Sequence, residues 1–253
     1  AVNLWFDNQA DANATYGHIR DWNTSAVTDM TEAFKDRVTF DENISGWDVS
    51  SVTSMKAMFS GASSFDQPIG NWNVSAVRNL QGAFQGASAF NQPIGNWNVS
   101  SVSTMQGAFL GASAFNQPIG NWNVSSVTSL RGAFNGTSSF NQDIGDWNVS
   151  SARNMQSVFN GTSAFDQDLG DWNVSAVTNM TDMFHNTSDL SSSNKEKIHA
   201  AFSSNPNWPY DWSDQSPQPG SGDSNATNPD SNGTHLLPGD SNATNPDDNA
   251  NQP

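Results

Sequence analysis

The chain holds four histidines, His18, His185, His199 and His235, and none stands in a metal-ligating spacing such as His-x-x-x-His. Neither a Gly-x-Ser-x-Gly elbow nor a glycine-rich phosphate loop occurs. Asp143 and Asp168 share a column with Pro118, which marks an exposed turn rather than the buried carboxylate pair a glycosidase needs. These residues predict no catalytic centre and a non-enzymatic protein. Calcium is the one metal worth weighing. Asp223, Asp230, Asp240, Asp247 and Asp248, mixed with Asn and Ser, supply hard oxygen ligands. Yet no EF-hand loop is present and the spacing fits no nonapeptide calcium repeat, so solvated turn acids are expected, with no resident metal or cofactor.

Glycan acceptors are a stronger signal, with fifteen Asn-x-Ser/Thr sequons. Asn23, Asn73, Asn98, Asn123, Asn148 and Asn173 form one column after a Trp, and Asp48 takes the same place in one repeat. Asn and Asp share the ability to bond nearby backbone in a turn, so this column is the less favoured set of acceptors. The other candidates fall at turns or in the tail: Asn13, Asn43, Asn135, Asn160, Asn179, Asn186, Asn225, Asn232 and Asn242. The tail sites are preferred for a secreted protein.

The 25 Asp and Glu against 9 Lys and Arg give a formal net charge of -16. That balance argues against nucleic acid and anionic membrane as partners, since both are bound through Lys and Arg. Without cysteine, stability must come from packing, metal or assembly. No apolar run approaches the roughly 18 residues of a membrane span. Ala1-Val2-Asn3-Leu4 lacks the basic and apolar regions of a signal peptide and is read as a mature N-terminus left by cleavage, which predicts a secreted or cell-surface location.

The elements that must position these residues are set by a repeat. Seven Trp recur every 25 residues from Trp22 to Trp172. Phe columns run from Phe34 to Phe184 and from Phe40 to Phe165, the second closed by Leu190. Met or Leu runs from Met30 to Met180, and Ile or Leu from Ile44 to Leu169. Fixed period and fixed apolar columns predict coils stacked in register around one core. Within a coil, Ser100 to Phe109 has helical spacing, capped by Ser100 or Ser101, with Gly111 or Gly136 as a helix stop in its coil. A turn and a short strand near Trp122 to Val124 follow. The expected fold class is α/β, a right-handed leucine-rich-repeat-like solenoid of about seven 25-residue coils. An ice-binding Thr array fails on Arg78 and Arg153, which interrupt the column of Thr53, Ser103, Thr128 and Thr178.

The string Ser-Val-Thr-x-Met-x-x-Ala-Phe resembles the BspA-like leucine-rich repeat. Ala112, Thr137 and Thr162 stand where that family has Cys, and Phe115, Phe140 and Phe165 where it has Leu. The strings Trp-Asn-Val-Ser-Ser-Val and Phe-Asn-Gln-Pro-Ile-Gly-Asn-Trp are closer to the 25-residue repeat first noted in mycoplasma surface lipoproteins and common in marine bacterial and algal surface proteins. That resemblance implies a leucine-rich-repeat-like fold, a surface location, and adhesive or structural roles. It supplies no catalytic residue.

The expected organisation is an N-terminal cap over 1–21 with Trp5, Phe6, Tyr16 and Ile19, the repeat over 22–190, and a C-terminal cap over 191–215. In the last, Ser193 or Asn194 caps a helix of about eight residues that lays Ile198 and Phe202 over the final coil, and Trp208, Tyr210 and Trp212 finish the lid. From 216 to 253 the chain is Pro, Asn, Asp, Ser and Thr rich, with Gly-Asp-Ser-Asn-Ala-Thr-Asn-Pro-Asp at 222–230 and 239–247. This tail is read as a connector between subunits. The leading expectation is thus a subunit of a glycosylated surface filament, with itself, other surface proteins or glycans as partners. The alternative is a monomeric adhesion or ligand-binding domain on a stalk.

Overall fold

The computed structural model describes residues 1–213. Helix is confined to the two ends: α1 (Val2–Asp7), α2 (Gln9–Tyr16), a 3-10 turn (Ile19–Asp21) and α3 (Ser192–Phe202). Between them seven coils stack, joined by six parallel single-residue bridges that run Asp29, Ser54, Asn79, Thr104, Ser129, Asn154, Asn179. The α/β leucine-rich-repeat solenoid expected from the sequence is therefore not what forms. Among the described residues no coil carries a helix over its Ser100–Phe109 segment or a strand at Trp122–Val124, and no sheet is built.

The backbone explains the correction. Each coil holds two left-handed residues four apart. One column is Glu32, Ala57, Gly82, Gly107, Gly132, Ser157 and Asp182, and the other is Asp36, Gly61, Gly86, Gly111, Gly136, Gly161 and Asn186, with φ between 52° and 73° throughout. A helix needs an unbroken right-handed run, and these residues interrupt it. They sit third in successive turns, the place where a type II turn requires positive φ. The amides then alternate. Ala108, Leu110 and Ala112 donate three residues back at 2.9–3.1 Å, while Met105, Gly107, Phe109 and Gly111 donate to Ser129, Arg131, Ala133 and Asn135 of the next coil at 2.7–3.0 Å. Half of the backbone bonds that a helix would keep are thus spent between coils. Gly111 and Gly136 are left-handed as a helix stop would be, but they close turns.

The apolar columns meet as the period predicts. Phe109 and Phe115 stack within one coil at 4.2 Å between ring centroids, and onto Phe134 and Phe140 of the next at 5.6 and 6.1 Å. Trp122 and Trp147 lie parallel at 6.4 Å, tilted by 4°. Each buried indole N–H donates to the Ile carbonyl 28 residues back, as from Trp122 to Ile94 at 3.1 Å, so the largest side chain of the coil enters the core with its polar atom paired. The hydroxyls of Thr137 and Thr162, wholly buried, likewise donate to Phe109 and Phe134 carbonyls at 2.6 Å.

Both ends of the stack are closed. At the first coil Phe6 of α1 meets Phe34 and Phe40 edge-on, and Arg37 lies 4.3 Å over its ring. At the last coil α3 is capped by Ser191, two residues before Ser193, and runs eleven residues, with Ile198 and Phe202 buried. The Phe184 amide has no eighth coil to bond and donates to the Tyr210 hydroxyl at 2.9 Å. Asn205, buried, donates to the Val174 and Val177 carbonyls.

Candidate functional site

The sequon column after Trp is built into turns. The Asn98 side-chain oxygen accepts from the Ser100 amide at 3.2 Å and hydroxyl at 2.7 Å, and Asp48 accepts from Ser50 in the same way at 2.9 and 2.6 Å. Asn23, Asn73, Asn123 and Asn148 repeat the pair, and Asn173 keeps the amide bond. This is why Asp substitutes for Asn there: only an acceptor oxygen is used. All six Asn of the column are exposed.

The other acceptors are scattered. Asn13 lies exposed on α2. Asn43 is exposed and accepts from the Ser45 amide. Asn135 and Asn160 are half-buried, next to the left-handed glycines. Asn179 is a half-buried bridge residue whose oxygen holds the Thr181 amide, and Asn186 is exposed and itself left-handed. Asn225, Asn232 and Asn242, the acids considered for calcium and the rest of the tail lie outside the described residues.

Among the described residues the fold brings no two histidines together in a site, and His235 lies outside them. His18 packs on Trp5 in the N-terminal cap, with Glu42 at 3.9 Å, while His199 accepts from the Trp208 indole in the lid. Asp143 and Asp168 are exposed turn acids whose carboxylates accept from Gly145 and Gly170 amides. Lys197 of α3 hydrogen-bonds Asp168 at 2.8 Å and, with the Gly170 amide, holds its carboxyl below 3.8. Among the described residues no three His, Asp or Glu are grouped to hold a metal.

A cleft of about 580 Å³ opens where the N-terminal cap meets the first coil. Tyr16, Trp22, Val27 and Met30 form its apolar wall, and Asp21, Asn23, Asp29 and Thr31 supply polar groups. The Thr31 hydroxyl and amide hold the Asp29 carboxyl below its ordinary value. Sequence reasoning placed Trp22 in the core column and missed this cleft. The usable signal was that Trp22 is first in its column, with no coil before it. Its indole donates to Gly17 in the cap, and it is half-buried where the later Trp are buried.

Charge is also sorted around the coil. Two ion pairs form among the described residues, Lys35–Glu32 and Lys197–Asp168, and the His18 ring lies 3.9 Å from the Glu42 carboxylate. All lie in or beside the caps. Between residues 50 and 178 the cations are Lys56, Arg78, Arg131 and Arg153, and the carboxylates are Asp66, Asp143, Asp146, Asp166, Asp168 and Asp171. The cations flank the bridges, and the carboxylates come later in each coil, after the second Phe.

The family model described as "Mycoplasma protein of unknown function, DUF285" matches the chain twice, over residues 3–121 and 79–197, two overlapping copies that together span residues 3–197, from α1 into α3. No curated protein matches the chain.

Proposed function

We propose, on the premise that this chain belongs to the mycoplasma-type repeat family of unknown function named DUF285, that it is a non-enzymatic surface protein whose coil stack binds ligand through its lateral faces. The observation that carries the reading is the closure of both ends. Phe6 covers the first coil, and the Tyr210 hydroxyl takes up a donor of the last. Coil-on-coil growth therefore has no free template, and the regular surface left is the side of the stack. The repeated aromatic and aliphatic residues are spent on packing, which leaves recognition to the polar columns between them. A surface location accords with the family, and no helix among the described residues is long and apolar enough to cross a membrane.

A second reading, a glycosylated filament joined through the tail, is favoured by the tandem nonapeptide at 222–230 and 239–247. Negative-stain microscopy of source-purified protein, with intact-mass analysis and a binding assay on source-cell envelopes, tests both. Single short particles that bind envelopes, and still do so after deletion of 214–253, are expected. Regular filaments that vanish on that deletion would replace the binding reading with the filament one.

A further inference from the structure

We propose that the strip flanking the inter-coil bridges binds a linear acidic polysaccharide through Lys56, Arg78, Arg131 and Arg153. The inference rests on the ligand-binding reading and names its ligand class. In a chain with 25 acids and 9 bases, these four are the cations of the interior coils, and among the described residues none of them is in an ion pair. The remaining bases are engaged elsewhere: Arg20 with His18, Lys35 with Glu32, Arg37 over Phe6, Lys195 near Trp212 and Lys197 with Asp168. Arg131 donates to the Gln156 amide oxygen at 3.2 Å and Arg153 to the Ala176 carbonyl at 3.4 Å. Those bonds orient the guanidinium groups without neutralising them.

The arrangement is periodic. Lys56 and Arg131 are 75 residues apart, and so are Arg78 and Arg153, so one pair of charges repeats after three coils. At strand-like spacing three coils advance roughly 15 Å. A translation-related pair of sites suits a polymer that carries its own repeating charge. Between the pairs lie Gln81, Ser103, Thr104 and Gln106, uncharged donors and acceptors of the kind that meet sugar hydroxyls. The hydroxyls of Thr53, Ser103, Thr128 and Thr178 bond the carbonyl of the preceding coil at 3.0–3.1 Å, which holds this column in one orientation. Duplex nucleic acid, with one charge per about 1.7 Å, is a poor match for four cations spread over five coils.

The net charge of -16 argued against nucleic acid and anionic membrane. That argument sums over the molecule, whereas a bound polymer feels the near face. At physiological salt the Debye length is about 8 Å, so only carboxylates within about that distance of the strip weigh on it strongly. Within the bridge-flanking columns acids occur only in the end coils, as Asp29, Glu32 and Asp182.

The test uses the full chain in calorimetry against dextran sulfate and polyguluronate, with neutral dextran, poly-glutamate and duplex DNA as controls. The wild type is expected to bind an acidic polysaccharide and none of the controls comparably. The K56Q/R78Q/R131Q/R153Q variant should lose about tenfold or more, since exposed pairs are individually weak but add along a polymer. R20Q/K35Q/K195Q/K197Q, which removes the same charge elsewhere, should bind as the wild type does. Circular dichroism melts identify any variant that misfolds, and for such a variant the paired changes K56Q/R78Q and R131Q/R153Q replace it. Equal loss in both quadruple variants, or equal binding of poly-glutamate or DNA, overturns the assignment. Binding to envelopes without binding to either polysaccharide overturns the ligand class alone, and loss of both removes the binding reading as well.

Discussion

Two columns of glycine serve different ends, and one pair of variants separates them. At Gly95 φ is not left-handed, but a Cβ built there would stand 2.4 Å from the Pro118 carbonyl oxygen of the next coil, and Gly70 and Gly120 meet the same carbonyl column at 2.1 and 2.6 Å. That neighbour is backbone and cannot rotate away. At Gly107 φ is +59°, and a Cβ would find nothing nearer than Leu110 at 3.8 Å. Gly107→Ala therefore faces only the left-handed backbone, about 1–2 kcal/mol. Loss of glycine's freedom in the unfolded chain offsets roughly half of it. The net cost is about 0.5–1 kcal/mol, consistent with Ala57 and Ser157 standing in that column at φ 52° and 55°. Gly95→Ala must instead push two coils apart across a stacked aromatic core, about 3 kcal/mol by the measure of overpacked interiors. Ser45 fills the column in the first coil, so the test belongs in an interior one. Urea unfolding followed by Trp fluorescence reads both as midpoint shifts. If Gly95→Ala costs no more than Gly107→Ala, the close approach between coils is not what selects glycine there.

Trp122→Phe keeps the ring stack but removes one of the two bonds to the Ile94 carbonyl, which retains the Trp97 amide, and should lower stability by about 0.5–1.5 kcal/mol in the same assay. Asn98→Asp should leave stability within about 0.5 kcal/mol, because Asp48 makes the same two bonds, while erasing one sequon. Loss of a hexose-bearing peptide in mass spectrometry would then show that the repeat column carries sugar, and an unchanged mass would show that it does not. Asp166→Ala should loosen the lid by about 2 kcal/mol, since that carboxylate accepts from the Ser191 amide and hydroxyl and from Asn194. Desolvation pushes the Asp166 carboxyl up, but those bonds outweigh it and hold it below 3.8. Its contribution is therefore complete above 3.8 and lost as pH falls through the lower folded value. The alanine variant should lose less stability than the wild type over that acid range, and parallel pH profiles would refute the role.

The period and the core were legible because Trp, Phe and Ile leave the same mark on a sequence whatever backbone carries them. Ile198 and Phe202 were legible for a related reason, since a four-residue spacing beside a Ser-rich start describes a real helix. The coil backbone was not. Apolar residues at Val102, Met105, Ala108 and Phe109 fit a helix, and they equally fit turns whose left-handed residues are Gly107 and Gly111. Gly107, in the interior of the expected helix, was the available warning. The cationic strip was hidden by summation, because a total charge says nothing about which residues flank a bridge. The cleft was hidden by periodicity itself, which treats Trp22 as one of seven equivalents when it has a coil on one side and the cap rings Trp5 and Tyr16 on the other.

The closed ends bear on how such a chain changes over generations. The lid bonds residues 166–184 and the cap meets the coils at 34–47, while every interior coil touches only the coils beside it. A duplication or loss of 25 codons therefore creates no contact of a new kind and breaks none at either end. Copy number becomes a heritable dial for reach and, in steps of three coils, for how many charge pairs are displayed.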